Sequence, residues 1–182
     1  AQEIAQVMKS YYQLNFQRKP EHLQWWLPRT EPRLSNFSEI EAADRIQTFS
    51  RLRLQTEHLY QKIPAAQRDA FFQLVGYPVI GSAWANLRFL EGERGNSEAA
   101  HAADARLQQE TARWDTSLAK GKWKDFMATE PADALWDKYR ITSWKMPSDA
   151  LLAAKKQAKP ANVGTHSFAI EAEDFNRKTD RS

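Results

Sequence analysis

Basic and aromatic side chains are concentrated in one short stretch of the chain. Arg18 and Lys19 are followed closely by His22, Trp25 and Trp26. An indole face can stack on a sugar ring, and a guanidinium can hold an acidic group. The same side chains suit docking onto a neighbouring domain, because adjacent tryptophans are chiefly large apolar anchors. Both interpretations stay open, and the residue types favour docking.

Two further tryptophans, Trp136 and Trp144, lie in a stretch without helical periodicity. Large apolar groups outside a core stripe normally mark an interface or a ligand groove. We therefore predict that Trp136 and Trp144, with the five residues above, are domain-docking or pocket-adjacent residues.

Other patterns offer little for catalysis. The sequence has no cysteine, which excludes disulfides, thiolate zinc sites and thiol nucleophiles. The glycine-rich stretch 76–82 has the spacing of a phosphate loop but lacks its lysine,. Acidic residues are numerous enough to form a catalytic pair, but no spacing in the sequence marks one. No two of the four histidines share a helical face: His22, His58, His101 and His166. We predict no catalytic, cofactor-binding or metal residue, and no cofactor.

Length and charge set the class of protein. The chain has 182 residues, of which 42% are hydrophobic, and a net charge of +3. This size suits one ordinary domain with appendages. Acidic and basic residues are interleaved, so a nucleic-acid partner is not expected. The longest apolar runs are far shorter than a membrane span, so a membrane partner is not expected either.

Helical spacing of apolar residues covers four stretches, 1–19, 38–62, 66–91 and 97–120,. The second begins with a capping box formed by Ser38 and Glu41. The third is apolar on several sides and contains Pro78, so we expect a central helix that is irregular just before the proline. Its predicted core residues are Phe71, Phe72, Leu74, Val75, Ile80, Trp84 and Leu87.

These elements predict an all-α fold, an up-and-down bundle of four or five helices with an irregular, aromatic-rich C-terminal extension and one terminal strand. The predicted boundaries are a helical domain over 1–147, a linker over 148–166 and a first strand of a following β-sandwich over 167–182. The chain begins within a helical pattern, and we expect it to be a segment of a longer polypeptide.

Six stretches, in collinear order over nearly the whole chain, resemble segments of the family 115 glycoside hydrolases, the xylan α-1,2-glucuronidases. The stretch 68–79, RDAFFQLVGYPV, is fairly specific, although the glycine at 76 stands where a larger residue is usual. The six stretches are 11–23, 59–64, 68–79, 121–123, 142–147 and 170–175.

The resemblance implies a helical module that lies between a catalytic barrel and a C-terminal β-sandwich and is itself inactive. The parent enzyme would remove glucuronic acid, or its 4-O-methyl form, from glucuronoxylan by an inverting route. Its partners would be the other domains of the same enzyme, with a possible homodimer, and its location would be secreted or periplasmic. The alternative is an autonomous helical-bundle interaction domain with no enzyme context.

Overall fold

The computed structural model describes residues 1–18, 34–118, 122 and 144–157. Within these ranges the fold is an all-α bundle of five helices, as the sequence predicted, with no strand. The helices are α1 (Gln2–Gln17), α2 (Glu39–Lys62), α3, α4 (Ser97–Ser117) and α5 (Asp149–Gln157). α3 follows a 3-10 turn, Ala65–Gln67, and runs without a break through α-helical Arg68–Phe71, a π-helical turn, Phe72–Gly76, and α-helical Tyr77–Glu93.

The predicted start of α2 is confirmed by its hydrogen bonds. The hydroxyl of Ser38 accepts from the amide of Glu41 at 3.3 Å, and the amide of Ser38 donates to Glu41 Oε2 at 2.8 Å. The donation from the Ser38 backbone is the main cause of a lowered pKa of the Glu41 carboxyl. In the turn between α3 and α4, Gly95 takes φ +83°, which lets the chain reverse its direction,.

The irregularity predicted before Pro78 is the π-helical turn of α3. A proline inside a helix lacks an amide donor, and its ring clashes with the carbonyl four residues earlier. A π turn is a known way to absorb such a break. The turn is tightly packed, because a Cβ placed on Gly76 would lie 3.0 Å from Phe72 Cδ2.

The core lies mainly between α1, α2 and α3. Phe71 belongs to this cluster, whereas its neighbour Phe72 packs into a second cluster with Trp114 and Leu118. α3 therefore buries two sides, as expected of a central helix. The main cluster consists of Val7, Leu14, Phe49, Leu52, Leu59, Phe71, Val75, Val79 and Ala83.

One predicted core residue is wrong: the side chain of Leu74 is 68% exposed. Residues two apart on a helix do not share a face, so burial of Phe72 turns Leu74 towards solvent. Val75 and Ile80 are buried as predicted, and Trp84 and Leu87 are half-buried.

Part of the predicted linker is helical, since α5 occupies nine of its residues, Asp149–Gln157. The predicted strand over 167–182 lies outside the described residues. In the described ranges, no helix combines the length and the apolar composition of a transmembrane span.

Candidate functional site

Two of the seven predicted site residues, Arg18 and Trp144, lie in the part of the chain that the structure describes. They belong to different surfaces, Arg18 at the end of α1 and Trp144 beside the α3–α4 corner. The other five fall outside the described residues: Lys19, His22, Trp25, Trp26 and Trp136.

Arg18 lies at a seam between α1, α2 and α3. Its guanidinium carbon is 5.0 Å from the centre of the Phe89 ring, a cation–π contact with α3,. Its carbonyl oxygen accepts a hydrogen bond from Arg45 Nη2 at 3.0 Å. The half-buried Arg18 thus helps to join all three helices.

Arg45 is the residue at this seam that the sequence analysis missed. It is buried, and it donates to the carbonyl of Leu14 at 3.0 Å and to Gln17 Oε1 at 3.1 Å, both through Nη1. Its Nε donates to Asn86 Oδ1 at 2.9 Å. With the bond to the Arg18 carbonyl, one guanidinium caps the C-terminal end of α1, where carbonyls lack a full set of intrahelical donors. The Leu14 carbonyl also accepts from the Arg18 amide at 3.4 Å.

The charge of Arg45 is costly in this position. Burial is the main reason why its pKa falls to about 10, and the nearby positive charge of Arg18 lowers it further. Among the residues that the structure describes, no carboxylate forms an ion pair with Arg45. Hydrogen bonds to oxygen atoms and the rings of Phe37 and Phe49, 5.5 and 5.0 Å away, stabilise the charge instead. The described part of the seam acts as a clamp on the end of α1.

A sequence signal for Arg45 did exist. The buried positions of α2 recur three or four residues apart, and Arg45 occupies one of them. They are Ala42, Arg45, Phe49, Leu52, Thr56 and Leu59. An arginine within such a stripe indicates a buried, hydrogen-bonded cation.

Trp144 packs against the bundle that precedes it. Its ring lies 5.6 Å from the guanidinium carbon of Arg88 and meets the His101 ring edge-on at 5.2 Å between centroids. Arg88 is buried and pairs with Asp104 at 2.6 Å. A Cβ on Gly92 would lie 3.6 Å from Trp144 Cζ2. The half-buried indole thus anchors the chain before α5 onto α3 and α4.

A buried carboxylate joins three distant segments near the same corner. Glu93, at the end of α3, has a side chain that is only 1% exposed. Its carboxylate accepts from the amide and, at 2.5 Å, from the hydroxyl of Ser35, and Lys155 of α5 donates to Oε2 at 2.6 Å. We call Ser35, Glu93 and Lys155 the clasp. Because the Ser35 hydroxyl is buried and committed to the carboxylate, the clasp is a structural link and does not suit a nucleophile.

We predict that Lys155→Met releases α5. No residue of α5 is fully buried, and the clasp is the polar link that joins this helix to α3, beside the contact of Leu152 with the Gly95 turn. The variant leaves a buried carboxylate with Ser35 as its remaining partner, which costs about 1–3 kcal/mol. Amide hydrogen exchange should speed up in α5 and not in α3.

Lys156→Met is the matched control for this prediction. Lys156 is the next residue, it is exposed, and the same change there should leave exchange in α5 unchanged. Equal acceleration in both variants would mean that the clasp does not hold α5.

No group of three or more histidine and acidic side chains that could hold a metal ion occurs in the described ranges. The contacts described above join the ends of helices: Arg45 clamps α1, Trp144 packs on α3 and α4, and Lys155 links α5 to Glu93.

A comparison with solved structures finds a similar protein. The chain is similar to the solved structure of a family 115 4-O-methyl-α-glucuronidase with specificity for decorated arabinogalactans. The TM-score is 0.66, the sequence identity is 27%, and the match covers 71% of this chain and 18% of that chain. No family model and no curated protein matches the chain. The match supports a relationship to the family 115 glycoside hydrolases and a hydrolase context for this helical fold.

Proposed function

We propose that this chain is a non-catalytic helical module of an α-glucuronidase, and that it packs a catalytic barrel against a C-terminal β-sandwich. The parent enzyme removes glucuronic acid or 4-O-methylglucuronic acid from a polysaccharide by inversion. The sequence resemblance favours glucuronoxylan as the substrate, whereas the structural neighbour acts on decorated arabinogalactans.

The observation that carries the proposal is the match to that enzyme. Most of this chain aligns with less than a fifth of the neighbour, at 27% identity. Such a ratio is expected when one domain of a large enzyme is compared with the whole. The part of this chain that the structure describes is helical, so the analogous role is that of a helical module within the enzyme.

The described surface of α1 suits contact with another domain. Tyr12 and Phe16, one turn apart on this helix, are 64% and 73% exposed. Exposed aromatic side chains in one stripe are typical of an interface. We include Tyr12 and Phe16, with the predicted docking residues around Arg18, in the surface that meets the neighbouring domains.

The remaining parts of the proposal follow from the enzyme context. The partners are the other domains of the same polypeptide and, through them, the polysaccharide; a homodimer is a further proposed assembly. The location is secreted or periplasmic, where such polysaccharides are accessible. The isolated module is inactive, because the family resemblance implies that the catalytic acids lie in the barrel of the parent enzyme.

The alternative is an autonomous helical-bundle interaction domain. The two functions differ in what the gene encodes: the enzyme module requires several hundred residues on the N-terminal side, including a barrel, and the autonomous domain requires none. An apolar exposed stripe on α1 is compatible with both functions, so the length of the encoded polypeptide distinguishes them.

The test compares the full product of the gene with the 182-residue chain. We expect the full product to release glucuronic acid or its 4-O-methyl form from glucuronoxylan or arabinogalactan, and the short chain to release none from either. A gene that encodes only this chain would overturn the proposal. Release of glucuronic acid by the short chain would also overturn it, if a single Asp or Glu substitution abolished that release.

A further inference from the structure

A cleft of about 240 Å³ lies between α1 and α2. The two helices run antiparallel here, because Glu3 near the start of α1 pairs with Lys62 at the end of α2 at 3.7 Å. Each helix contributes residues three and four positions apart, so the walls are two facing ridges. The ridges supply Gln6 and Ser10 from α1 and Gln55 and His58 from α2.

Apart from Glu3, the polar side chains of this cleft face solvent: Gln6, Gln55 and His58 are exposed, and Ser10 is half-buried. Among the described hydrogen bonds, none involves the side chain of Gln6, Ser10, Gln55 or His58. Elsewhere on α1 and α2, polar groups of the same kinds bind within the protein, as Gln17 and Thr56 do. Two amides, a hydroxyl and an imidazole therefore offer both donors and acceptors to a ligand.

The floor of the cleft is apolar. Val7 and Leu59 lie at its base, and both are buried. Small-molecule sites combine apolar surface with polar groups that fix the orientation of the ligand, and in this cleft the polar side chains outnumber the apolar ones. The volume is below the range of about 300–1,000 Å³ that encloses drug-sized ligands, so the cleft suits a single ring.

Charge also selects the ligand. Glu3 at one end of the cleft is paired with Lys62, and the other polar groups are amides and a hydroxyl, with one imidazole. The cleft therefore has no excess positive charge that would attract a carboxylate or a phosphate. A neutral ligand that carries several hydroxyl groups fits best, because each hydroxyl both donates and accepts.

We infer that the α1–α2 cleft binds one neutral sugar unit of a glycan. Its C–H face lies on Val7 and Leu59, and its hydroxyls bind Gln6, Ser10, Gln55 and His58. The choice of a sugar among neutral polyols rests on the proposed function, since a module of a polysaccharide-cleaving enzyme works beside its substrate. The site would bind the polysaccharide at a point distant from the catalytic centre.

The experiment is a titration of the 182-residue chain with D-galactose, D-xylose and sodium D-glucuronate, followed by NMR. The reporters are the C2–H resonance of His58 and the side-chain amides of Gln6 and Gln55. We expect saturable shifts with at least one neutral sugar, with a dissociation constant on the order of 1 mM, as suits so small a ligand. His101, exposed on α4, should not shift.

Matched variants of α1 complete the test. Gln6→Ala should weaken binding about tenfold, the effect of losing a ligand hydrogen bond, whereas Gln13→Ala, exposed on the same helix and outside the cleft, should not change it. If Gln6→Ala does not fold, Ser10→Val replaces it with the same expectation. In the titration, the inference is overturned if neither neutral sugar gives a saturable shift at His58, if His101 shifts equally, or if glucuronate binds more tightly. In the variants, it is overturned if Gln6→Ala and Gln13→Ala lose the same affinity.

Failure here is separate from failure of the proposed function. Sugar binding by the cleft needs no catalytic domain, so a gene that encodes no barrel would remove the enzyme context and leave the titration result standing. Conversely, if the full-length enzyme is active and its helical module shows no shift at His58, the proposed function stands and sugar binding by the cleft is refuted.

Discussion

Replacement of Arg45 by methionine should lower the free energy of unfolding by about 2–4 kcal/mol, the loss expected when two buried acceptors lose their donor. Methionine fills similar space, so the loss comes from hydrogen bonds and not from a cavity. The Arg18 carbonyl and the Asn86 amide oxygen would lose the donor that Arg45 supplies, and the Leu14 carbonyl would keep only the Arg18 amide at 3.4 Å. Each buried acceptor left unpaired costs about 1–3 kcal/mol. Urea denaturation followed by circular dichroism at 222 nm measures the change.

Two further variants separate the hydrogen bonds from the charge. Arg51→Met is the matched control: Arg51 is exposed on the same helix, and its replacement should change stability by less than about 0.5 kcal/mol. Arg45→Lys keeps the charge but not the planar fork that reaches several acceptors, so it should be nearly as unstable as Arg45→Met. A fully stable Arg45→Lys would show that charge, and not the forked geometry, matters at the seam.

Local signals predicted the helices well because they act over a few residues. The capping box of Ser38 and Glu41 needs no other part of the chain, and α2 begins where it predicts. Pro78 likewise acts on the turn before it, and the π-helical turn occurs there. Periodicity over one helix is enough to identify its buried stripe, as in α1, where Val7 and Leu14 are buried.

Contacts between distant segments could not be predicted in this way. Ser35 and Lys155 meet Glu93 across separations of 58 and 62 residues. Each is an ordinary polar residue in its local sequence, and an acidic residue near a glycine turn is normally expected on the surface. Only the packing of α5 against the end of α3 makes Glu93 a buried acceptor. The same limit applies to Arg45, whose acceptors lie on α1 and α3.

The candidate sites show a similar division. The sequence analysis selected Arg18 and Trp144 by residue type, and the structure shows that both contact arginine or aromatic side chains of the bundle itself. The sequence analysis did not select the four polar residues of the cleft, because isolated polar residues on two different helices form no recognisable motif. They are Gln6, Ser10, Gln55 and His58. Their relation appears only once α1 and α2 are paired. The proposed docking role of the tryptophans stays a prediction.

The second large effect is expected in α3, where Phe72→Ala should cost about 3–5 kcal/mol, the range for truncation of a buried phenylalanine. The Phe72 ring is buried between Tyr77 and Trp114, with centroid distances of 6.1 and 6.3 Å, and the Arg113 guanidinium carbon lies 4.0 Å from its centre. Such a loss is a large part of the net stability of about 5–15 kcal/mol of a typical domain. Thermal unfolding by circular dichroism measures it.

Leu74→Ala provides the control within the same π-helical turn. Leu74 is largely exposed, and alanine has the higher helix propensity, so this variant should change stability by less than about 0.5 kcal/mol. A large loss in Leu74→Ala with a small one in Phe72→Ala would mean that the helix is rotated relative to the structure. Similar large losses in both would mean that another domain or a second copy covers Leu74. The pair therefore tests the register that the π turn sets, because two residues of the same turn should differ by at least about 2.5 kcal/mol.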